Sequence, residues 1–359
     1  MEFALSDDQR MFQSSVKGYL DAASALEQVR QVADGDTQLS ETITNGLTEL
    51  GVGQILIPEP FDGLGLGVLD AALIQEELGA AVAPAAYLAS ALAVIGIDIG
   101  GTETQKAEWL PKIASGDVRF GVAIAERVGA REGAGVLTET GCATGKSLFA
   151  METQNATHVI LVDTDGCLQV ASLEDVKRVP HSTIDRTRDL AALEFNATPV
   201  MSLDGESRAG LAADKMVQVG RLLLAADTLG AAQTMLDKAV AYAIERKQFN
   251  RVIGSFQSVK HLCAEMAAHL EPARALVWHA AHAYDQNMDD AAMMACLAKS
   301  HLAEIGTFIA RTATEVHGGM GFTDLVGLHY WFKRIGANRQ LLGGPEKVRE
   351  DAAKLQGWA

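Results

Sequence analysis

The helical repeat in the last third of the chain constrains the fold more than any other feature of the sequence. Apolar residues recur every three or four positions from Leu222 to Ala243, which places them on one face of a helix. Two more stretches, about 255–286 and about 289–317, show the same texture. Helices this long and this apolar usually bury more than one side. The sequence therefore predicts a helical bundle or an oligomer interface from about residue 206 onward.

The first third of the chain also has a helical pattern, which extends to about residue 118. The segment Ser6-Asp7-Asp8-Gln9 has the form of a capping box at a helix start. The segment Glu59–Gly67 interrupts the pattern, because proline and repeated glycines break helices. A helix is predicted again over Leu69–Leu78, and Gly79 is predicted to be its C-cap.

The middle of the chain has the texture of a small β domain. Short apolar runs occur at Phe120–Ile124, Val159–Val162 and Leu168–Val170, separated by Gly, Asp, Thr and Asn. The intervening segment Asp163–Gly166 predicts a hairpin turn. The predicted fold class is therefore mainly α with a middle β domain. We expect an N-terminal helical domain over 1–118, the β domain over 119–205 and a C-terminal helical domain over 206–359.

Charge and cysteine usage narrow the class of function. The chain has 30 Lys and Arg against 46 Asp and Glu, a net charge of −16, which disfavours binding to nucleic acid or to an anionic membrane surface. No apolar run predicts a membrane span, and the first residues lack the basic and apolar regions of a secretory signal. The four cysteines show no metal-ligand spacing. We therefore expect a cytoplasmic protein with reduced thiols and no metal site.

The segment between the first two long C-terminal helices carries a first candidate binding site. It contains Arg246, Gln248, Phe249 and Gln257 within a short stretch. Arginine can fork onto phosphate oxygens, glutamine can pair with an adenine edge, and phenylalanine can pack on a ring. A solvated helix end, with its arginine favourably placed near the helix C-terminus, explains the same residues.

A glycine-rich segment supplies a second candidate site. Gly318, Gly319 and Gly321 follow a predicted helix, and such a loop lets its backbone approach a ligand closely and bind phosphate. An ordinary glycine C-cap is the alternative. His317 is interpreted either as a packed helix-end residue or as a ligand-binding residue.

Together, these segments resemble the acyl-CoA dehydrogenase family. The resemblance rests on the pattern Arg-x-Gln-Phe-x-x-x-Ile-x-x-Phe-Gln at 246–257 and on His-Gly-Gly-Met-Gly-Phe-Thr at 317–323. Pro58-Glu59 with the glycines up to residue 67, the segment Gln75-Glu76-Glu77-Leu78-Gly79 and the opening Ser-Asp-Asp-Gln fit as well. The resemblance covers essentially the whole chain.

The resemblance implies a fold, a cofactor and a set of site residues. The fold would be an N-terminal helical domain, a barrel-like β domain and a C-terminal four-helix bundle that tetramerises. FAD would lie between subunits, acyl-CoA would be the substrate, and an electron-transfer flavoprotein would be the acceptor. Each chain would contribute residues to the pyrophosphate and adenosine of its neighbour's FAD. By position, these cofactor-binding residues are Arg246, Gln248, Phe249, Gln257, Gly318 and Gly319.

The resemblance fails at the catalytic base. Family members place a glutamate at one of two positions, which in this chain hold Gly343 and Gly220, so no catalytic residue is assigned. Neither glycine can accept the α-proton of a thioester. Glu346 and Asp227 are the nearby carboxylates that a displaced base would have to use.

Segments that would hold this chain's own flavin depart from the family as well. The usual Thr-Glu-Pro of the β domain reads Ala125-Glu126-Arg127, and the later strand around 149–153 lacks the usual aromatic and threonine pair. Glu315 replaces the glutamine that usually precedes the glycine pair. The chain retains what a subunit gives to its neighbour's FAD and lacks much of what it needs for its own.

This asymmetry leads to three hypotheses. The first is the base-lacking subunit of an α₂β₂ flavoprotein that desaturates a CoA thioester, with a homologous base-bearing partner and a steroid side chain as its acyl group. The second is a self-sufficient homo-oligomeric acyl-CoA dehydrogenase with a displaced base. The third is a structural or regulatory subunit without flavin.

Overall fold

A computed structural model describes residues 4–203 and 210–358 of the chain, and the predicted domain boundary at 205/206 lies outside these residues. The described helices are α1 Asp7–Ala23, α2 Leu26–Ala33, α3 Thr37–Glu49, α4 Val68–Ala80, α5 Tyr87–Gly100, α6 Glu103–Ser115, α7 Ala125–Val128, α8 Leu211–Glu245, α9 Gln257–Asp285, α10 Ala291–His317, α11 Leu328–Gln340 and α12 Pro345–Leu355. The described strands are β1 Phe120–Ala123, β2 Gly135–Glu139, β3 Cys142–Met151, β4 His158–Val162, β5 Leu168–Ser172, β6 Lys177–Pro180, β7 Leu190–Pro199, β8 Met201–Ser202, β9 Lys247–Gln248 and β10 Arg251–Val252.

The fold class predicted from the sequence is confirmed: the chain is mostly helical, with a mixed sheet in its middle. The long helices α8, α9 and α10 lie where the apolar repeat placed them. The capping box is also confirmed, because Ser6 Oγ accepts from the Gln9 N–H at 3.1 Å and Gln9 Oε1 accepts from the Ser6 N–H at 3.0 Å. Among the described residues, no helix has the length and apolarity that a bilayer crossing requires.

The chain divides into two compact units. The first comprises the described residues of Met1–Gln31, Ala72–Ala83 and Arg221–Ala359, and the second those of Val32–Ala71 and Pro84–Gly220. The first unit is helical apart from the short β9–β10 hairpin, and the second holds the β1–β8 sheet with the helices around it. The three-domain division stays a prediction.

In the first unit, two glycines let α4 and α8 approach closely. A Cβ on Gly79 would lie 2.0 Å from the carbonyl oxygen of Asp227, and one on Gly230 would lie 1.8 Å from that of Glu76. The prediction that Gly79 is a C-cap is therefore wrong, because the residue lies inside α4, which continues to Ala80. Glycine stands at position 79 because no side chain fits between the two helices.

In the second unit, the sheet has the strand order β6-β7-β3-β1-β4-β5-β8, and β2 also pairs with β3. The β1–β4 pair is parallel and the β4–β5 pair is antiparallel, with Val162 opposite Leu168. The predicted hairpin is thus confirmed, and Asp163 Oδ1 closes it by accepting from the Cys167 N–H at 2.8 Å. One face of this sheet is covered by small and branched apolar residues that form its core.

Candidate functional site

The hairpin that follows α8 has an unusual backbone. Strands β9 and β10 pair Gln248 with Arg251, so Phe249 and Asn250 form a two-residue turn. Both turn residues have positive φ, 52° and 61°, which is the conformation of a type I′ turn. Asparagine tolerates this region, but a bulky aromatic residue there is an outlier. Phe249 is nevertheless 88% exposed at the tip, so it is held in a strained position without being buried.

The other predicted residues of this segment are also exposed. Arg246 stands just after the end of α8, its N–H donates to Tyr242 O at 2.8 Å, and its side chain forms no ion pair within the described part of the chain. Among the described residues, Gln248 Nε2 donates to Lys247 O at 2.8 Å, and Gln257 Nε2 lies 3.4 Å from His261 Nε2, so both glutamines make local contacts. All four side chains are therefore exposed on the surface of the first unit.

The glycine loop opens beside the C-terminus of α10. Gly318 has φ 57° and ψ −139°, a backbone conformation that glycine adopts readily. A Cβ on Gly318 or Gly319 would meet no atom within 4 Å, so the space in front of both is open. Gly321 differs, because its Cβ would lie 2.7 Å from Thr314 O, which makes it a packing glycine. Gly318 and Gly319 thus satisfy the requirement for close backbone approach to a ligand.

An aromatic stack joins the hairpin and the glycine loop. The rings of Tyr242, on the last turns of α8, and His317, at the end of α10, stack with centroids 4.6 Å apart. His317 is 4% exposed, its Nδ1–H donates to Ala313 O at 2.8 Å, and burial lowers the pKa of its imidazole. His317 is therefore a packed helix-end residue that holds the two segments together. We use the name hairpin–glycine surface for the predicted cofactor-binding residues and this stack: Arg246, Gln248, Phe249, Gln257, Gly318, Gly319, Tyr242 and His317.

The sequence reasoning missed two large apolar side chains next to this surface. Phe322 and Leu325 are 80% and 75% exposed, and they lie three and six residues after Gly319. The aromatic residue at the end of the His-Gly-Gly-Met-Gly-Phe pattern was the signal that could have identified Phe322.

The loop at the first of the two base positions contains two consecutive residues with positive φ. Gly343 has φ 106°, and the preceding Leu342 has φ 54° although it is buried. Arg221 Nε donates to Leu342 O at 3.1 Å, and this hydrogen bond holds the loop in its conformation. Lys299 lies in the same interior, where burial and then the Arg221 charge lower its pKa to about 7. Gly220, the second base position, lies buried within α8.

The two alternative carboxylates serve other purposes. Asp227 is completely buried and accepts from Gln75 Nε2 at 2.7 Å, from Asn338 Nδ2 at 2.6 Å and from Arg334 at 3.0 and 3.1 Å. It is therefore the centre of a buried hydrogen-bond network. The side chain of Glu346 is 78% exposed in the first turn of α12, 3.6 Å from Arg339. It behaves as a helix-start charge.

In the second unit, the segment that the resemblance would place against flavin makes its contacts within the same chain. Ala125 begins the short helix α7 and offers no polar side-chain atom. Glu126 accepts from Ser147 Oγ at 2.9 Å and from the Leu148 N–H at 2.8 Å. Arg127 Nη2 lies 2.8 Å from Asp214 Oδ1 at the start of α8. Both charges of this segment are therefore paired within the unit.

The end of β3 is committed in the same way. Glu152 follows it with φ 54° and is buried. Its carboxylate accepts from the Ala89 N–H at 2.7 Å, in the first turn of α5, and lies 3.6 Å from Arg188 Nη1. Because Ala86, the N-cap of α5, provides no side-chain hydrogen bond, Glu152 caps that helix from a distance. The strained residue thus has a structural purpose.

Comparisons with known proteins find relatives along nearly the whole chain. Models of the acyl-CoA dehydrogenase N-terminal and C-terminal domains match residues 6–117 and 210–354. The chain is 29% identical over 354 residues to acyl-CoA dehydrogenase IpdE2 of Mycolicibacterium smegmatis, with 98% of this chain and 99% of the relative covered. It is 30% identical over 299 residues to the mitochondrial short-chain specific acyl-CoA dehydrogenase of Bos taurus, covering 76% and 72%. A solved variant of the steroid ACAD Tcur3481-Tcur3483 matches with a TM-score of 0.88 and 25% identity over 98% of both chains.

Proposed function

This chain belongs to the acyl-CoA dehydrogenase family, and from that premise we propose that it is the base-lacking subunit of a heteromeric enzyme. As a family member it is an oxidoreductase that acts on acyl-CoA thioesters with FAD as cofactor. The proposal concerns its part in that reaction. It contacts the phosphates and the adenosine of an FAD molecule. A homologous partner chain binds the flavin ring of that FAD and supplies the catalytic base.

One contrast within the chain carries the proposal. On the hairpin–glycine surface, Arg246 has no ion-pair partner among the described residues, Phe249 is strained yet exposed, and the glycine pair faces open space. In the second unit, Glu126, Arg127 and Glu152 are all paired within the chain. The residues that would bind a neighbour's FAD are therefore free to contact a ligand. The residues that would bind this chain's own FAD already contact other residues of the chain.

The exposed residues fit a dinucleotide chemically. The Arg246 guanidinium suits a phosphate group, the open N–H groups of the glycine loop suit a second anionic oxygen, and Phe249 offers a ring face to adenine. When bound, FAD supplies the acceptor for the hydride that leaves the β-carbon of the thioester. This chain's residues hold that cofactor, and they take no proton, because glycines occupy positions 343 and 220.

The finer assignments extend this proposal. We infer an α₂β₂ assembly, an electron-transfer flavoprotein as acceptor and a steroid side chain as the acyl group. The steroid ACAD among the similar structures supports the last point, and the paired designation in its name is in keeping with two kinds of chain.

Co-expression tests the proposal. The chain is produced alone and together with homologues that carry a glutamate at the position of Gly343, and each product is mixed with acyl-CoA thioesters and a dye acceptor. We expect flavin and dye reduction only from a two-chain complex. In that complex, a Glu→Gln change in the partner should abolish dye reduction, and Gly343→Glu in this chain should not restore it.

Two results would contradict the proposal in different ways. A yellow homo-oligomer that reduces the acceptor with any acyl-CoA would show a self-sufficient enzyme with a displaced base. Complexes that form without any flavin would show a structural subunit.

A further inference from the structure

The hairpin contains a second arginine that the family resemblance does not assign. Arg251 is exposed and forms no ion pair within the residues that the structure describes. Its guanidinium carbon lies 3.9 Å from the centroid of the Phe256 ring. Phe256 in turn meets Phe249 edge to face, with centroids 6.1 Å apart. The charge of Arg251 is thus held in place by an aromatic ring and not by a carboxylate.

The strand register determines which way Arg251 points. Arg251 pairs with Gln248, and Val252 pairs with Lys247. Residues directly opposite each other in an antiparallel pair project from the same face, and successive residues project from opposite faces. Arg251 therefore shares a face with Gln248, a predicted cofactor-binding residue, whereas Lys247 lies on the other face of the same hairpin.

A guanidinium that lies over a ring keeps its N–H donors in its own plane, around the edge. Those donors match the oxygens of a phosphate in a forked arrangement, and little side-chain freedom remains to be lost on binding. A group that carries two adjacent phosphates suits two arginines better than one. Arg246 and Arg251 both stand on this hairpin, on a chain whose net charge is −16.

We propose that Arg251 is a further binding residue of the hairpin–glycine surface, where it presents a fixed cation to the diphosphate of a dinucleotide. This inference rests on the proposed function. It adds to that function one residue, Arg251, and places it at the diphosphate of the bound dinucleotide. Phe256 is the positioning residue that holds the guanidinium.

The test uses the two-chain complex with Arg251→Met, Arg251→Lys and Lys247→Met. Lys247→Met removes the same charge from the opposite face of the hairpin and is the matched control. We expect Arg251→Met to weaken FAD binding about tenfold and to make binding less sensitive to salt, because one charged hydrogen-bonding partner is lost. Arg251→Lys should fall between Arg251→Met and wild type, and Lys247→Met should stay within about twofold of wild type.

A second measurement separates binding from folding of the hairpin. The complex is freed of flavin and titrated with ADP and with adenosine. Arg251→Met should weaken binding of ADP and leave binding of adenosine unchanged, since only ADP carries the diphosphate.

Equal losses for ADP and adenosine would show that Arg251 only supports the hairpin, and equal effects of Arg251→Met and Lys247→Met would show a general charge effect. Either result overturns the inference and leaves the proposed function standing. A wild-type complex that never binds FAD would instead contradict the proposed function.

Discussion

Replacing Phe249 by glycine should stabilise the chain and weaken the complex. In most proteins the loss of an aromatic residue destabilises the fold, because aromatic side chains dominate the core. Phe249 is 88% exposed and has φ 52°, so its removal sacrifices little packing and relieves a strained backbone. Opposite signs for stability and for binding are the signature of a residue that is kept for function.

The size of the effect follows from the backbone. A side chain in the left-handed region costs roughly 1–2 kcal/mol, which a change to glycine removes. Glycine also gives the unfolded chain more freedom, and this offsets about 0.5–1 kcal/mol of the gain in stability. The free energy of unfolding of the isolated chain should therefore rise by up to about 1.5 kcal/mol. Stacking of a base on an aromatic ring is worth roughly 1–3 kcal/mol, so FAD should dissociate from the complex about tenfold more readily.

Urea unfolding of the isolated chain and flavin release from the complex measure the two effects. Asn250→Gly is the matched control, because it relaxes the neighbouring residue with φ 61° and keeps the phenylalanine. It should leave flavin retention unchanged. A Phe249→Gly chain that is less stable than wild type, or a complex that holds its FAD as before, would refute the assignment of Phe249 to binding.

Three further predictions follow from particular contacts. Arg246→Ala should weaken FAD retention in the complex about tenfold, and full flavin after dilution would show that Arg246 is only a helix-end charge. Burial raises the pKa of Glu77 from its ordinary value of 4.5 to about 7. The stability that the protonated side chain contributes is therefore complete below pH 4.5 and is lost as the pH rises to about 7. Glu77→Gln should therefore raise the free energy of unfolding near pH 8. The gain should be at most about 3 kcal/mol, because the side chain is partly open to solvent. A urea titration at pH 8 that shows no gain would refute this prediction. Gly343→Glu or Gly220→Glu should not create activity in the isolated chain, because a base acts only on a substrate aligned with a flavin, and bleaching by a panel of acyl-CoAs that includes steroid thioesters would contradict this.

The long helices and the exposed site segments could be predicted from the sequence, because both depend on local patterns. An apolar repeat defined α8, and a phosphate-suited cluster of residues around Arg246 stood out from its surroundings. Gly79 could not be interpreted correctly, because its reason lies in Asp227, which is distant in sequence. The same glycine in the sequence is compatible with a helix end or a helix crossing, and only the packing of α4 on α8 separates them.

The polar interior was equally hidden from the sequence. Asp227 stood out as a carboxylate near a base position, and only the structure shows that Gln75, Arg334 and Asn338 surround it. Glu152 gave no signal, since its carboxylate caps a helix more than sixty residues away in sequence. Long-range hydrogen bonds of this kind depend on the complete fold.

Counting the flavin in the two-chain complex tests the division of labour between the chains most directly. The complex is purified, its FAD is released by denaturation, and the amount is compared with the amount of each chain. If this chain contributes only to its partner's flavin, the complex should contain one FAD for each pair of different chains. One FAD for every chain would mean that Ala125, Arg127 and Glu152 do not prevent this chain from holding a flavin of its own, and would contradict the proposal.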